Sequence, residues 1–444
     1  MPSSHRRARQ FSASVPVAVM AGVLVALAAC SSSSSTSGTV TPVSTAAPVN
    51  SAAGAASTCV TDVDKVVATP ATPASSTKAL PADLVTKLDA AARTSLQDAA
   101  APGAIVGVRT PQGTWTEAYG IADPATQAPM QVGMHTRIGS VTKTFTGTVI
   151  MQLAEQGKLS LDDVIDRYVP GVPNGDRITL RMLADMTSGV AAYSRSPKFT
   201  DVFFSRPETI FHPDQLIAIG LAESPAFAPG AQFDYSNTNT LLLGKVIEKV
   251  THRPVAEVFQ DQVFAPLGLT STSWPGTTTT LPDPYPQGFT LQGAAASPDH
   301  PSNATNWNPS WGWTAGELIS DMDDLLTYGR ALGTGQGLVD AATQAERLRS
   351  FPGRSGYGIA MGCADGWVGH TGELPGYNTS VFYDTTSDTT VVVQANSDIA
   401  SGSCPESPTL ADDAHYSVCS SPATRVFVGL STALGRTFTP PPQH

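Results

Sequence analysis

A serine and a lysine three positions apart form the first pair in this 444-residue sequence whose spacing could support chemistry. They lie in Gly139-Ser140-Val141-Thr142-Lys143, which we predict to open a helix that runs to Gln156. Side chains at this spacing share a helix face with β-carbons about 5 to 6 Å apart, so the Lys143 amine can reach the Ser140 hydroxyl. A serine hydroxyl becomes a good nucleophile only when a neighbouring base takes its proton. The pair therefore indicates acyl transfer through an ester on Ser140.

The predicted helix would assist this chemistry from its first turn and from its buried side. At its start, free backbone N–H groups and the positive end of the helix dipole favour negative charge that develops beside Ser140. Partial burial lowers the pKa of Lys143, because a charged amine is poorly solvated among apolar side chains. Gly157 suits the left-handed position that often ends a helix. The apolar residues expected around this helix are Phe145, Val149, Ile150 and Leu153.

The Ser-x-x-Lys pattern occurs a second time, at Ser75-Ser76-Thr77-Lys78, in a connector rich in proline and alanine. Only the Ser140 copy follows a predicted strand and a glycine and precedes an amphipathic helix. Context therefore favours Ser140, while the motif alone leaves open a plain capping serine. The sequence has no Gly-x-Ser-x-Gly elbow and no His-Glu-x-x-His zinc motif. A Ser-His-Asp triad of scattered residues stays open.

Two further motifs follow along the chain. Tyr235-Ser236-Asn237 comes shortly after Pro229-Gly230 and precedes a predicted helix from Leu241 to Val250. Much later, His370-Thr371-Gly372 precedes Pro375-Gly376-Tyr377. Taken singly, they could be a core tyrosine, a helix-capping asparagine and a strand histidine. In this order and spacing, the three motifs resemble the signatures of the penicillin-recognising serine hydrolases, meaning class C β-lactamases and secreted actinomycete D-alanyl-D-alanine carboxypeptidases.

The resemblance covers roughly Pro81 to Ala395 and implies a fold. That fold is α+β, of the β-lactamase/transpeptidase-like type, with an antiparallel sheet flanked by helices and split by a mostly helical domain. Three phrases near the motifs also look familial. These are Arg137-Ile138-Gly139-Ser140-Val141-Thr142-Lys143, Glu155-Gln156-Gly157-Lys158-Leu159 and Trp313-Thr314-Ala315-Gly316.

The resemblance implies that Lys143 and Tyr235 activate Ser140. The reference pKa of both groups is near 10. A protonated amine beside a phenol favours phenolate, while burial favours a neutral amine, so we expect the two to titrate as a coupled pair. The backbone N–H groups of Ser140 and Glu373 would hold the oxyanion of the reacting carbonyl. The implied chemistry needs side chains and backbone amides alone, with no metal and no cofactor.

The implied substrate-binding residues are Asn237, His370, Thr371, Gly372 and Glu373. Asn237 would bind a substrate amide oxygen, Thr371 would donate to the substrate, and Gly372 would let the substrate backbone approach. His370 stands where β-lactamases usually have lysine. It tilts the resemblance toward the actinomycete carboxypeptidases and replaces a fixed charge by a titratable one.

Glu373 departs from that carboxypeptidase branch, which is expected to have a hydroxyl residue here and an upstream arginine for the substrate's terminal carboxylate. From Ser355 to Thr424 the sequence contains no lysine or arginine. A free D-Ala carboxylate would therefore meet Glu373, unless Arg354 or Arg330 folds in. This charge balance disfavours strict carboxypeptidase activity. Met186, where relatives commonly have histidine, is interpreted as structural.

Three functional hypotheses follow. The first is a serine acyl hydrolase that is D-alanyl-D-alanine carboxypeptidase-like or penicillin-binding, with peptidoglycan stem peptides as partners. The second is an esterase or amidase of the same fold that acts on another small acyl substrate, for which Glu373 is the best sequence argument. The third is a wall-binding lipoprotein without activity, which an intact set of Ser140, Lys143, Tyr235 and His370 argues against.

The elements that must position these residues follow from their spacing. Apolar residues at helical spacing predict a helix over Asp83–Leu96 and a last helix that contains Val426 to Leu434. Strands from both chain ends can meet in one sheet only if the middle is an insertion. We therefore predict a hydrolase domain at 79–436 with a helical subdomain at about 145–310, and a tail at 437–444. The expected strands are 104–109, 114–121, 380–383 and 389–395, in two antiparallel pairs.

The N-terminus is expected to direct export. Arginines precede an apolar stretch that ends in Leu27-Ala28-Ala29-Cys30, which resembles a lipobox, so we predict a signal peptide at 1–29 and a lipid on Cys30. An ordinary cleaved signal peptide stays open. A tether rich in Ser, Thr and Ala would follow at 30–78. The protein would then lie on the outer face of the bacterial cell membrane, held by its lipid alone, as a monomer.

Four cysteines remain for disulfides if Cys30 carries lipid. Of the three pairings we favour Cys363 with Cys404 and Cys59 with Cys419. The formal net charge of −11 and the sequence pI near 5.1 leave phosphate backbones nothing to bind, so nucleic acid is not an expected partner. A hydrophobic content of 41% excludes wholesale disorder.

Overall fold

The computed structural model describes residues 58–72, 74–293, 295–402, 404 and 419–440. The predicted signal peptide, the predicted lipid attachment at Cys30 and most of the predicted tether lie outside the described residues. Within the part that is described, no helix combines the length and the apolarity that a membrane span requires.

A large antiparallel sheet organises the chain. Eight of the strands lie side by side in the order β3-β2-β1-β12-β11-β10-β9-β8, while β4 with β7 and β5 with β6 form two small ladders. The strands of the described residues are β1 Gly103–Thr110, β2 Gly113–Asp123, β3 Ala128–Pro129, β4 Thr136–Arg137, β5 Phe289–Thr290, β6 Ser302–Asn303, β7 Ile319–Ser320, β8 Ser355–Gly358, β9 Met361–Ala364, β10 Trp367–Leu374, β11 Tyr377–Asp384 and β12 Thr389–Ala395.

Helices cover both faces of this sheet and fill the middle of the chain. Those in the described residues are α1 Val63–Val67, α2 Ala82–Gln97, α3 Thr142–Glu155, α4 Leu180–Ala184, α5 Pro197–Ser205, α6 Pro213–Ala222, α7 Asn237–Thr251, α8 Val255–Phe259, α9 Ala265–Leu267, α10 Trp313–Gly316, α11 Met322–Thr334, α12 Ala341–Arg349 and α13 Pro422–Ala433. Helices α3 to α10 all lie between β4 and β7, so the middle of the chain is mostly helical with long irregular connections.

The two chain ends meet at the centre of the sheet, as predicted. Strand β1 pairs antiparallel with β12 from Ala104 opposite Ala395 to Arg109 opposite Thr390. The two predicted strand pairs also form, β1 with β2 and β11 with β12. The α+β fold with an antiparallel sheet split by an insertion is therefore confirmed.

Alternate residues of the central strands enter two separate cores. Val391 and Val393 of β12 pack with Phe427 of α13 and Leu88 of α2 on one face. Val392, between them, points to the other face and packs in the core that includes α11 and α3. Because side chains alternate along a strand, one apolar run covers both faces. This burial fixes the register of the sheet beneath α3.

The folded body begins about twenty residues before the predicted boundary at 79. Residues 58–78, here called the strap, are folded against the body: Val66 of α1 is buried, Asp64 pairs with Arg349 at 2.7 Å, and Thr114 donates its backbone N–H to Lys78 at 2.7 Å. The composition of this segment predicted a tether. The segment folds nevertheless, because its valines and one cysteine enter a core formed by residues far along the chain.

The favoured disulfide pairing was wrong. Cys59 bonds to Cys363, 304 positions away, and Cys404 bonds to Cys419, 15 positions away. Spatial neighbourhood decides this pairing: Cys363 lies on β9, beside the start of the strap, and the Cα atoms of Cys404 and Cys419 lie 4.6 Å apart. The strap is thus attached covalently to the sheet.

The predicted tail at 437–444 also begins as part of the body. Phe438 is buried against the rings of Phe427 and Phe382, and the indole N–H of Trp367 donates to the backbone carbonyl of Thr437 at 3.1 Å. Residues up to 440 are described.

Candidate active site

Ser140 lies in a tight turn, Gly139–Val141, that leads directly into α3. Gly139 has a φ of +52°, a left-handed conformation that favours glycine, and it turns the chain from β4 into the helix. Gly157, with a φ of +66°, occupies the left-handed position after the helix. The first helical turn thus carries Ser140, half-buried, toward the end of β10.

Lys143 is fully buried, and its amine faces the serine. Its Nζ lies 2.9 Å from Ser140 Oγ and donates to the carbonyl oxygen of Ala315 at 2.7 Å. Burial holds the pKa of Lys143 well below its usual value of 10.5, because no acid compensates the charge. A neutral amine keeps a lone pair, so Lys143 can take the proton of the Ser140 hydroxyl.

Tyr235 comes from the segment before α7 and meets the same serine. A hydrogen bond joins its hydroxyl to Ser140, and its ring centroid lies 4.9 Å from Lys143 Nζ. Burial raises the pKa of Tyr235, and the bond to Ser140 offsets this only in part. Burial therefore favours the neutral form of both groups, so of the two opposing effects expected from the sequence, burial outweighs the attraction that would favour a phenolate. In these forms Lys143 can take a proton and Tyr235 can give one.

The start of α3 and the strand β10 touch through two glycines. A Cβ on Gly372 would lie 1.9 Å from the carbonyl oxygen of Ile138 and 3.2 Å from the backbone nitrogen of Ser140. A Cβ on Gly139 would lie 2.5 Å from the backbone nitrogen of Glu373. Only glycine permits this approach. It brings the peptide groups of Ser140 and Glu373 to one place, as an oxyanion site requires.

His370 of β10 is buried on the same side of the cleft. Its Nδ1 faces the backbone carbonyl oxygen of Thr371, and its Nε2 lies 3.0 Å from the hydroxyl of Tyr357. Burial, followed by the nearby Lys143, lowers the pKa of His370 to about 3. The imidazole is therefore neutral at physiological pH and supplies no positive charge in place of the family's lysine.

The other predicted substrate residues surround this cleft. Thr371 is partly exposed on β10, and the amide nitrogen of Asn237 donates to Ser194 Oγ at 2.9 Å. Glu373 is exposed to solvent, and the surrounding protein together with buried Asp398 raises its pKa. Asp398 itself accepts from the backbone N–H of Gly376 at 3.0 Å.

No arginine joins Glu373 in the way the sequence left open. Arg354 pairs with Asp365 at 3.0 Å, and Arg330 pairs with Asp388 at 2.8 Å. Met186 is buried at a φ of +64°, and its sulfur accepts from the amide of Asn239 at 3.4 Å, which fits a structural role. Neither of these two arginines therefore supplies a positive charge beside Glu373.

The motifs did not point to Tyr357, which the structure places against Tyr235 and His370. It lies on β8 in the sequence Ser-Gly-Tyr-Gly, which has no motif character. The only sequence signal was an aromatic residue 13 positions before His370. Across the described ranges, His, Cys, Asp and Glu form no group of three that could hold a metal ion.

A serine, a buried lysine amine and a phenol that meet beside β10 of an antiparallel sheet are the arrangement typical of serine hydrolases of the β-lactamase and transpeptidase type. The family model described as Beta-lactamase matches residues 88–414. The chain belongs to this family.

Two curated proteins similar to this chain are a putative penicillin-binding protein and a protein whose name states no function. The putative penicillin-binding protein PbpX of Bacillus subtilis is 26% identical over 262 residues, 58% of this chain and 61% of the relative. Protein flp of Staphylococcus aureus is 30% identical over 198 residues, 43% of this chain and 39% of the relative. The chain thus matches less than two thirds of the length of either protein.

Solved structures with this fold include amidases. A D-stereospecific amidohydrolase from Streptomyces sp. is 31% identical with a TM-score of 0.65, and the match covers 70% of this chain and 94% of that chain. A D-amino acid amidase from Ochrobactrum anthropi SV3 has a TM-score of 0.68 at 22% identity, over 80% of this chain and 99% of that chain. The second likeness shows the fold alone.

Proposed function

We propose that this chain is a serine amidohydrolase that forms an acyl-enzyme on Ser140 from small amides or esters. The observation that carries this proposal is the 2.9 Å distance between Ser140 Oγ and the Nζ of fully buried Lys143. A base whose pKa is lowered by burial and which touches a serine is the arrangement that nucleophilic catalysis needs.

The proposed reaction has two halves. Neutral Lys143 takes the Ser140 proton while Oγ attacks the substrate carbonyl carbon, and the backbone N–H groups of Ser140 and Glu373 stabilise the oxyanion. The carbon–nitrogen bond then breaks, and the leaving nitrogen receives the proton through the Tyr235 hydroxyl. Water next attacks the ester carbon and gives one proton to Lys143. The carboxylic acid product then leaves as Ser140 regains its hydrogen.

Charge in the cleft favours a substrate without a free carboxylate at this end. His370 is neutral, the raised pKa of Glu373 favours its uncharged carboxyl, and the candidate arginines Arg354 and Arg330 are paired elsewhere. A terminal carboxylate would therefore find no cation to bind here, whereas an amide or an ester needs none. The likeness to the Streptomyces D-stereospecific amidohydrolase supports the same choice.

A D-Ala-D-Ala carboxypeptidase or penicillin-binding role is the second candidate. The name of the Bacillus subtilis relative supports it, and so does the shared set of motifs around Ser140, Tyr235 and His370. Export, lipid attachment at Cys30, residence at the cell wall and a monomeric state belong to the same proposal, and they would give either activity access to wall peptides.

Substrate turnover separates the two candidates. We expect the protein to release ammonia from D-phenylalanine amide and to release little D-Ala from diacetyl-Lys-D-Ala-D-Ala at equal concentration. Ser140→Ala should abolish both reactions. Faster turnover of the D-Ala-D-Ala peptide would reverse the choice, and turnover that survives Ser140→Ala would reject the proposed nucleophile. L-Phenylalanine amide serves as the stereochemical control.

A further inference from the structure

Tyr357 contacts two residues of the site although it belongs to none of the three motifs. Its ring packs edge-on against Tyr235, with centroids 5.9 Å apart, and against the imidazole of His370, with centroids 5.5 Å apart. Its hydroxyl lies 3.0 Å from Nε2 of His370. One side chain therefore positions both a proposed proton donor and the histidine of the third motif.

The two hydrogen bonds of His370 determine which nitrogen carries its proton. Nδ1 faces the carbonyl oxygen of Thr371, which can only accept, so Nδ1 must carry the hydrogen. Nε2 then has a lone pair, and the Tyr357 hydroxyl must be the donor to it. A second proton on the imidazole would have to displace this bond.

We infer that Tyr357 is a positioning residue that fixes His370 in its Nδ1–H tautomer and holds the imidazole ring in place at the wall of the cleft. The inference rests on the proposed function, which it deepens. Burial and the nearby Lys143 already keep the imidazole uncharged, so the Tyr357 hydroxyl decides which nitrogen carries the hydrogen and how the ring is oriented. Tyr357 thereby acts on a bound substrate through His370.

The groups around this pair agree with a donating Tyr357. Lys143 faces His370 from α3, Tyr235 faces it from the segment before α7, and Glu373 follows it on β10. Behind Tyr357 lies the buried guanidinium of Arg347, held by the carbonyl of Ile359 at 3.2 Å. Burial raises the pKa of Tyr357 and Arg347 offsets this only in part, so the hydroxyl keeps its proton and can donate it in a hydrogen bond to Nε2 of His370.

The first test reads the tautomer without any turnover. In protein labelled with ¹⁵N-histidine, the His370 signals are assigned by their loss in His370→Gln. We expect a protonated Nδ1 and an unprotonated Nε2 from pH 5 to pH 8. Tyr357→Phe keeps the ring but removes the donor, so the Nε2 signal of His370 should shift toward that of a nitrogen lone pair without a hydrogen bond, while burial and Lys143 still keep the imidazole uncharged. Wild-type titration in this range, or identical signals in Tyr357→Phe, would overturn the inference.

The second test reads turnover. In Tyr357→Phe, kcat/KM for the amide substrate should fall about tenfold, the size expected for one lost hydrogen bond, because the imidazole is no longer held in place. In a His370→Gln background the same Tyr357→Phe change should cause no further loss, because Tyr357 acts through His370. Tyr119→Phe, which loses the hydroxyl bond to Asp89 far from the site, is the control. A loss of equal size in the His370→Gln background would reject the mechanism and leave the proposed function standing.

Discussion

The chain carries the Ser-x-x-Lys pattern in two regions that use it differently. In α3 and the turn before it, the lysine is fully buried and its amine lies 2.9 Å from the serine oxygen. In the strap, Lys78 is exposed, and its contact with the sheet is a backbone carbonyl that accepts from Thr114. The Ser-x-x-Lys pattern thus places an amine against a serine oxygen in the first region, and in the second it is part of a segment that is bonded to the sheet.

The difference teaches that burial converts the motif into a reactive pair. A lysine among apolar side chains loses its proton easily, whereas an exposed lysine stays charged and cannot act as a base at neutral pH. Burial of Lys143 lowers stability, since the amine gives up solvation. The strap acts in the opposite direction through its core contacts and the Cys59–Cys363 disulfide.

The largest expected effect separates the two lysines. Lys143→Ala should reduce kcat/KM by about 10²- to 10⁴-fold, the usual contribution of a positioned general base. Lys78→Ala should leave it unchanged, because that side chain is exposed away from the site. Steady-state kinetics on one amide substrate would measure both. Equal losses in the two variants would erase the distinction between the regions.

The buried lysine should also make both the unfolding free energy and kcat/KM depend on pH, with a smaller effect than its removal has on activity. Because the pKa of Lys143 is lowered on folding, the unfolded chain binds more protons than the folded chain between that lowered value and 10.5. The free energy of unfolding should therefore rise with pH across this window, and kcat/KM should rise as the amine loses its proton. Lys143→Met should remove the stability slope, measured by urea unfolding at several pH values. A slope that persists would assign it to other groups.

The smallest effect on activity is expected in the strap. Cys59→Ser opens a loop of 304 positions and Cys404→Ser a loop of 15, so loop entropy predicts losses of about 6 and about 3 kcal/mol in unfolding free energy. Thermal or urea unfolding of the oxidised proteins would rank them. Acylation of Ser140 should proceed at the wild-type rate in folded Cys59→Ser. A slowed rate would show that the strap takes part in the site.

The sequence predicted the features that depend on neighbouring residues or on motifs shared with a known family. The alternation of strands, the helix after Ser140 and the three motifs all follow from short-range spacing, and β1 beside β12 follows from topology. Prediction from the sequence failed where contacts between residues far apart in the chain determine the structure. A segment rich in Ala, Pro and Thr became the strap because Cys59 and Val66 find partners hundreds of residues away, and no rule for isolated tyrosines pointed to Tyr357.

The ionisation of the Lys143–Tyr235 pair shows a subtler limit. The sequence predicted two opposing effects, mutual attraction that favours a phenolate and partial burial that favours a neutral amine. Full enclosure of the amine decides between them, and enclosure is a property of the assembled core around α3 and α10. The extent of this burial becomes visible only in three dimensions.

Covalent labelling tests the central claim most directly. The full-length protein is treated with a fluorophosphonate, digested and mapped by mass spectrometry, alongside Ser140→Ala and Ser75→Ala. The account predicts one adduct on Ser140 in the wild type and in Ser75→Ala, and none in Ser140→Ala. An adduct on another residue, or equal labelling of Ser140→Ala, would contradict it.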